Sequence, residues 1–268
     1  MQNFVISLTT SQDRREHICN EFGKYNIPFE FFDAITPNQI DNLSIKFDIS
    51  LTDTFLKNSE IACLFSHISL WQKLLNSEYD YFCIFEDDIF LSQDCSYFFE
   101  EINRQKVLNQ IKLLNVIKIE TFQMPVYLAK TQSISQYIKI SKLKSVHFGT
   151  AGYLITKKWA KIFLEILGNL SQNKQLMPID HVIFDKFLSE VDVFQMLKPI
   201  CIQDAVLNSN STFESIIQKE RKERTHPQNM GLIPKNIHLN LWQKIFRELT
   251  RPFKQAHKKI FTKTLNFN

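Results

Sequence analysis

The segment Tyr81-Phe82-Cys83-Ile84-Phe85 carries no charge and runs straight into Glu86-Asp87-Asp88. A short continuous apolar run of this kind reads as a buried strand. In open α/β sheets, ligands bind beyond the carboxyl ends of the strands. Three adjacent carboxylates at such an end repel one another unless a cation or solvent relieves them. Mg²⁺ and Mn²⁺ take oxygen ligands and commonly bridge a carboxylate to a substrate phosphate. The competing reading is a solvated acidic turn; the position directly after a buried strand favours the cation.

The surrounding pattern supplies the rest of such a sheet. Residues 4–8 read as a strand, 11–24 as a helix with Thr10 or Ser11 as its cap, and 28–32 as a second strand. This β-α-β opening starts a doubly wound sheet. The spacing of Ile61, Leu64, Phe65, Ile68 and Leu75 predicts a helix over 59–77, capped by Ser59. Further helices are predicted over 94–105, 157–167 and 179–188. Strands or extended segments are predicted over 115–119, 126–128, 137–140, 152–155, 191–196 and 199–202. The 268 residues suffice for one α/β domain with a full core, with or without a small appendage.

Glycine usage excludes the common phosphate-binding loops. Of five glycines, Gly149 and Gly152 alone lie close together, so neither a P-loop nor a GxGxxG turn is available. A bound nucleotide must be held by other groups. Asp13-Arg14-Arg15, at the start of the first helix, offers forked donors for phosphate or uracil oxygens beside a helix N-terminus. Taken alone, that triplet reads more readily as a solvated helix face. Glu60, Cys63 and His67 share one stripe of their helix at i, i+3 and i+7. The stripe suits a pocket lining, or a buried histidine with a first-turn carboxylate. Pro178 opens a helix, which puts Asp180 and His181 near its N-terminus. That position suits metal or hydroxyl binding, and also simple capping.

Cysteines and charge narrow the setting. The five cysteines include no CxxC pair, and their odd number and apolar neighbourhoods argue against a disulfide framework or a zinc site. A reducing, cytoplasmic setting is expected. Residues 218–268 hold 12 of the 32 Lys and Arg but 3 of the 28 Asp and Glu, a net +9 against −5 for the remainder. Such a tail calls for an anionic partner. Ile237, Leu241, Ile245, Leu249 and Phe253 recur every four residues among basic ones, the pattern of a helix at an anionic membrane surface. Pro252 interrupts it, and packing on the body is the alternative. The run at 4–8 is too short for a signal-peptide core, and no stretch approaches the roughly 18 apolar residues of a membrane span. Any membrane link is expected to be peripheral. The basic segment has few aromatics and the body is acidic, so nucleic acid is not expected as a partner.

Taken together, the motifs resemble glycosyltransferase family 25, the bacterial lipooligosaccharide galactosyltransferases. The resemblance rests on Val5-Ile6-Ser7-Leu8 leading to Asp13-Arg14-Arg15, then Phe31-Phe32-Asp33-Ala34. It continues through Glu60-Ile61-Ala62-Cys63 with Ser66-His67 and Leu70-Trp71, then Phe85-Glu86-Asp87-Asp88. It ends with Gly149-Thr150-Ala151-Gly152-Tyr153-Leu154-Ile155 and Pro178-Ile179-Asp180. It implies a GT-A-type, Rossmann-like and mostly parallel sheet over 1–215; the basic tail over 216–268, read as helical from its own pattern, lies outside the resemblance. It also implies UDP-galactose as donor, a lipooligosaccharide acceptor of lactose-core type, inversion at the sugar carbon, and work at the inner membrane. The family's acidic motif falls on Glu86-Asp87-Asp88, whose first member is Glu rather than Asp. On this reading Asp88, helped by Glu86, holds Mn²⁺ or Mg²⁺. Arg14, Arg15 and Asp87 serve the nucleotide, Glu60 and His67 the donor pocket. Asp180 is the base that takes the acceptor proton, with His181 as the alternative. Rival readings are a glucosyltransferase of the same pathway, a nucleotidyl- or phosphotransferase using the same acidic site, and a non-catalytic membrane-surface protein.

Overall fold

The computed structural model describes residues 2–114, 116–208, 213, 217, 220 and 262–267. The β-α-β opening forms as expected: β1 (Gln2–Ser7), α1 (Gln12–Gly23) and β2 (Glu30–Asp33). Next come α2 (Ile40–Phe47), α3 (Asn58–Leu75), β3 (Tyr81–Glu86) and β4 (Ile89–Leu91). Two short helices follow, α4 (Cys95–Ile102) and α5 (Gln105–Ile111), where the sequence predicts one over 94–105. The chain continues through β5 (Val116–Lys118), β6 (Glu120–Thr121), β7 (Pro125–Ser133), β8 (Lys139–Leu143), β9 (Gly152–Thr156) and α6 (Lys157–Gln172). After α7 (Ile179–His181) come β10 (Val193–Met196), β11 (Cys201–Gln203), α8 (Asp204–Leu207) and β12 (Thr262–Thr264).

Nine strands form the main sheet in the order β12-β7-β8-β10-β5-β9-β3-β1-β2. β2, β1, β3, β5, β10 and β7 run one way; β9, β8 and β12 run the other. The sheet is thus mostly parallel in direction, with β9 inserted antiparallel between β3 and β5. Its second face explains the unbroken apolar run of β3. Phe82 and Ile84 point into a core with Leu64, Phe65, Ile68 and Trp71 of α3 and Phe163 of α6. Cys83 and Phe85 point into a second core with Ile18 and Phe22 of α1 and Phe98 and Ile102 of α4. Side chains alternate across a strand, so covering both faces leaves no position for a polar residue.

Three local expectations are corrected. α3 is capped not by the Ser59 side chain but by Glu60, whose Oε2 accepts the Lys57 N–H at 3.1 Å. The Ser59 hydroxyl donates instead to Glu220. The predicted helix over 179–188 is one α-turn followed by a π-helical stretch, Val182–Lys186, kinked at Phe184 with φ −117° and ψ 15°. Phe184 is fully buried, against Tyr153 and under the Lys118 ammonium, and that packing overrides regular helical geometry. The predicted strand over 137–140 begins later, at Lys139. Most of the tail predicted as a basic helix lies outside the described residues. Its end returns to the sheet, where β12 pairs antiparallel with β7 and Leu265 is buried. Among the described residues no helix is long and apolar enough to cross a membrane.

Candidate active site

In the order β3-β1-β2, the chain leaves β1 for one neighbour and later fills the other side with β3. That reversal opens a crevice beyond the carboxyl ends of β1 and β3, the usual ligand position in such sheets. Ile6 is aligned with Glu86, so the segment after β1 and the acidic turn after β3 stand side by side. Arg14 reaches across from the first turn of α1: its Nη1 donates to Asp87 Oδ1 at 2.5 Å. Its guanidinium also lies 5.6 Å from the Phe213 ring. α1 further anchors the strand after the acidic turn, through His17 Nε2 at 2.7 Å from Ile89 O and Glu21 accepting the Leu91 N–H at 3.0 Å.

The three carboxylates have distinct surroundings. Glu86 Oε1 accepts from the Thr150 hydroxyl at 2.7 Å and lies 3.8 Å from His67 Nε2. Its Oε2 accepts from Gln203 Nε2 at 3.3 Å, and the same amide reaches Asp88 Oδ1 at 3.4 Å. Burial alone would raise the Glu86 carboxyl, but His67, Thr150 and the Lys118 ammonium more than offset it and hold it below the usual range. Asp88 goes the other way. Burial and the neighbouring Glu86 and Asp87 push its carboxyl up to about 7, against the pull of Arg14. For Arg14 the burial cost is outweighed by Asp87, Asp88 and Glu86, which raise it further and keep it charged.

Behind Glu86 lies a buried clamp. Lys118 Nζ donates to Glu120 Oε1 and to Gly149 O, each at 2.5 Å, and Glu120 Oε1 also accepts the Ala151 N–H at 3.1 Å. The pair thereby holds both sides of Thr150, the residue that donates to Glu86. Gly149 has φ +88°, and a Cβ there would sit 2.8 Å from Glu120 Oε1, so the position requires glycine. Burial raises the Glu120 carboxyl to about 7 despite Lys118.

The structure thus brings Arg14, Glu86, Asp87, Asp88 and His67 together. Arg15 is turned elsewhere: it donates to Ser7 O and to Asp33 and stacks over Phe31, tying the ends of β1 and β2. Glu60 sits at the start of α3 as its cap. Asp180 is buried at the start of α7. His181 is half-buried, 3.0 Å from Asp185, with its ring 5.2 Å from Phe148, two residues before Thr150. Thr150 and Gln203 were not assigned from the sequence. Thr150 sits in the Gly149–Ile155 run without a signal of its partner; Gln203, 117 positions from Glu86, has no sequence signal at all.

The donor set suits a hard divalent cation. A half-buried carboxylate at Glu86 and a buried one at Asp88 share one neutral amide donor, and burial together with the neighbouring negative charge raises the Asp88 carboxyl to about 7. A cation there would relieve that repulsion.

The chain as a whole is similar to known proteins. Residues 1–183 match the profile of glycosyltransferase family 25, described as an LPS biosynthesis protein family. Lipooligosaccharide biosynthesis protein lex-1 of Haemophilus influenzae is 32% identical over 289 residues, 94% of this chain and 95% of its own. The lacto-N-neotetraose biosynthesis glycosyltransferase LgtB of Neisseria meningitidis is 31% identical over 231 residues, 82% of this chain and 83% of its own. Among solved structures, a glycosyltransferase involved in glycosylating the major capsid of PBCV-1 aligns with a TM-score of 0.39 at 9% identity, covering 83% of this chain and 97% of that one.

Proposed function

The chain belongs to glycosyltransferase family 25, and we propose that it moves galactose from UDP-galactose to a lipooligosaccharide acceptor of lactose-core type, with inversion and with a divalent cation. The observation that carries the site assignment is the Arg14–Asp87 pair spanning the crevice beside Glu86 and Asp88. It puts a fixed, charged fork and a cation-seeking carboxylate pair at one strand end, in a chain with no glycine-rich phosphate loop. The names of the two relatives, lipooligosaccharide biosynthesis and lacto-N-neotetraose biosynthesis, support the acceptor class.

In an inverting transfer, the acceptor hydroxyl oxygen bonds to the anomeric carbon as the bond from that carbon to UDP breaks. Asp180 takes the hydroxyl proton, with His181 as the alternative. Arg14, oriented by Asp87, donates to the diphosphate whose charge grows as it departs. Arg15, engaged with Ser7 and Asp33, would serve the nucleotide by holding the ends of β1 and β2 beside it. Mn²⁺ or Mg²⁺ held by Asp88 and Glu86 would offset the same charge. Thr150 and Gln203 fix the Glu86 carboxylate, and His67 and Glu60 shape the donor pocket. A lipid-linked acceptor fits peripheral work on the cytoplasmic side of the inner membrane, with the net +9 of residues 218–268 drawn to its anionic surface.

Incubating the protein with UDP-galactose and no acceptor tests the reaction class. Slow release of galactose with UDP intact supports glycosyl transfer. Release of UMP and sugar phosphate would instead mark a nucleotidyl- or phosphotransferase.

A further inference from the structure

The polar stripe of α3 is only partly used by the donor site. Cys63 and His67 lie one turn apart on α3 and face the end of β3, where Glu86 stands. One ligand atom from each of Cys63, His67 and Glu86 lies within 4.8 Å of the other two. His67 is fully buried, and its Nε2 has no hydrogen-bond partner among the described residues although Glu86 Oε1 lies 3.8 Å away. Buried polar atoms are rarely left so. The other ring nitrogen is fixed: Nδ1 is 2.7 Å from the Tyr153 hydroxyl oxygen, which also accepts the Trp71 indole N–H at 2.9 Å. A metal-bound imidazole donates its second N–H to an oxygen that orients the ring. The Tyr153 oxygen can accept from both Trp71 and His67 Nδ1, so a cation that displaces the Nε2 proton facing Glu86 would meet the Nε2 lone pair beside Cys63 and Glu86.

We propose that Cys63, His67 and Glu86 bind a borderline-soft divalent cation of the zinc class, with a fourth position left to water or a donor oxygen. A thiolate, an imidazole and a carboxylate select such an ion over Mg²⁺ or Ca²⁺. Tetrahedral bonds of about 2.0–2.3 Å place ligand atoms roughly 3.3–3.8 Å apart, so small side-chain closures complete the site. The absence of a CxxC pair, which argues against a zinc site of paired cysteines, does not bear on a site with one cysteine joined by residues 4 and 23 positions on. Glu86 is shared. Its Oε1 faces this site, while Oε2 faces Gln203, the amide that also reaches Asp88. The assignment stands on α3 and β3 and is independent of which sugar is transferred.

The test is a Co²⁺ titration of the metal-stripped full chain, with Co²⁺ as the spectroscopic stand-in for zinc. The near-ultraviolet thiolate-to-cobalt charge-transfer band should saturate at one equivalent, whatever further Co²⁺ the Asp88 site takes up without a band. Cys63→Ser should abolish the band, and His67→Gln should weaken binding by at least the roughly 10–100-fold that even supporting partners of metal ligands carry. Asp88→Asn and Cys19→Ser, the latter at an exposed cysteine, should keep the band. No band, a band that survives Cys63→Ser, or a band lost with Cys19→Ser or Asp88→Asn would overturn the site. Should Cys63→Ser fail to fold, zinc-edge X-ray absorption on the unaltered protein reads the same point. One sulfur in the coordination shell supports the site, and oxygen and nitrogen alone refute it.

Discussion

Replacing Asp88 with Asn should make the protein more stable and less active, and the gain should depend on pH. The Asp88 carboxyl stands at about 7, against an ordinary 3.8, because burial and two neighbouring carboxylates penalise its charge. Between those two values the folded state holds a proton that the unfolded state has released. Stability therefore falls as pH rises through that window and is flat above it. At about 1.4 kcal/mol for each pH unit, the full penalty at pH 8 is on the order of 4 kcal/mol. Asn keeps the shape and the oxygen that Gln203 reaches, and never ionises. Urea denaturation in excess chelator, at pH 5 and at pH 8, measures the difference between the two proteins. Asp88→Asn should gain about 2 kcal/mol at pH 5 and about 4 kcal/mol at pH 8, and Mn²⁺ should narrow the gap by stabilising the unaltered protein alone. Turnover of the variant should collapse. Equal destabilisation of Asp88→Asn at both pH values would refute the electrostatic account of the site.

Three further outcomes follow from the same geometry. Arg14→Ala removes charge-assisted hydrogen bonds usually worth about 1.5–3 kcal/mol, so calorimetric UDP affinity should fall by roughly 10- to 150-fold; an unchanged affinity returns Arg14 to a structural partner of Asp87. Gly149→Ala should destabilise by about 1–3 kcal/mol in thermal or urea melts, because it forces a Cβ into a positive-φ position against Glu120; a neutral effect would show that the clamp around Thr150 yields freely. Asp180→Asn should bind UDP normally and lose most of its kcat, as expected of a base that does not hold the donor; a matching loss of UDP affinity would make Asp180 a donor contact instead.

The features legible in the sequence were those encoded locally. The apolar run of β3 announces a strand covered on both faces, and the carboxylates after it mark the strand end. Arg14 was legible because the first βα turn of such a sheet has a fixed place. Its partner Asp87, 73 positions on, becomes visible only once β1 and β3 are aligned. The two arginines look equivalent in sequence, yet helical rotation sends Arg14 to the crevice and Arg15 to Asp33. The Lys118–Glu120 clamp was not legible, since a Lys and a Glu two residues apart at strand ends ordinarily read as solvent-facing. Both side chains are instead 0% exposed and turned inward onto Gly149 and Ala151. The antiparallel place of β9 and the kink at Phe184 come from tertiary packing that periodicity does not encode.

One assay reads cation-dependent galactosyl transfer directly. The full chain, stripped of metal, is given a panel of UDP-sugars with a lactose-core acceptor, with and without Mn²⁺. An acceptor extended by one β-linked galactose from UDP-galactose is expected, formed with Mn²⁺ and abolished by excess chelator. Transfer that persists in chelator, or transfer from UDP-glucose in preference to UDP-galactose, would contradict it.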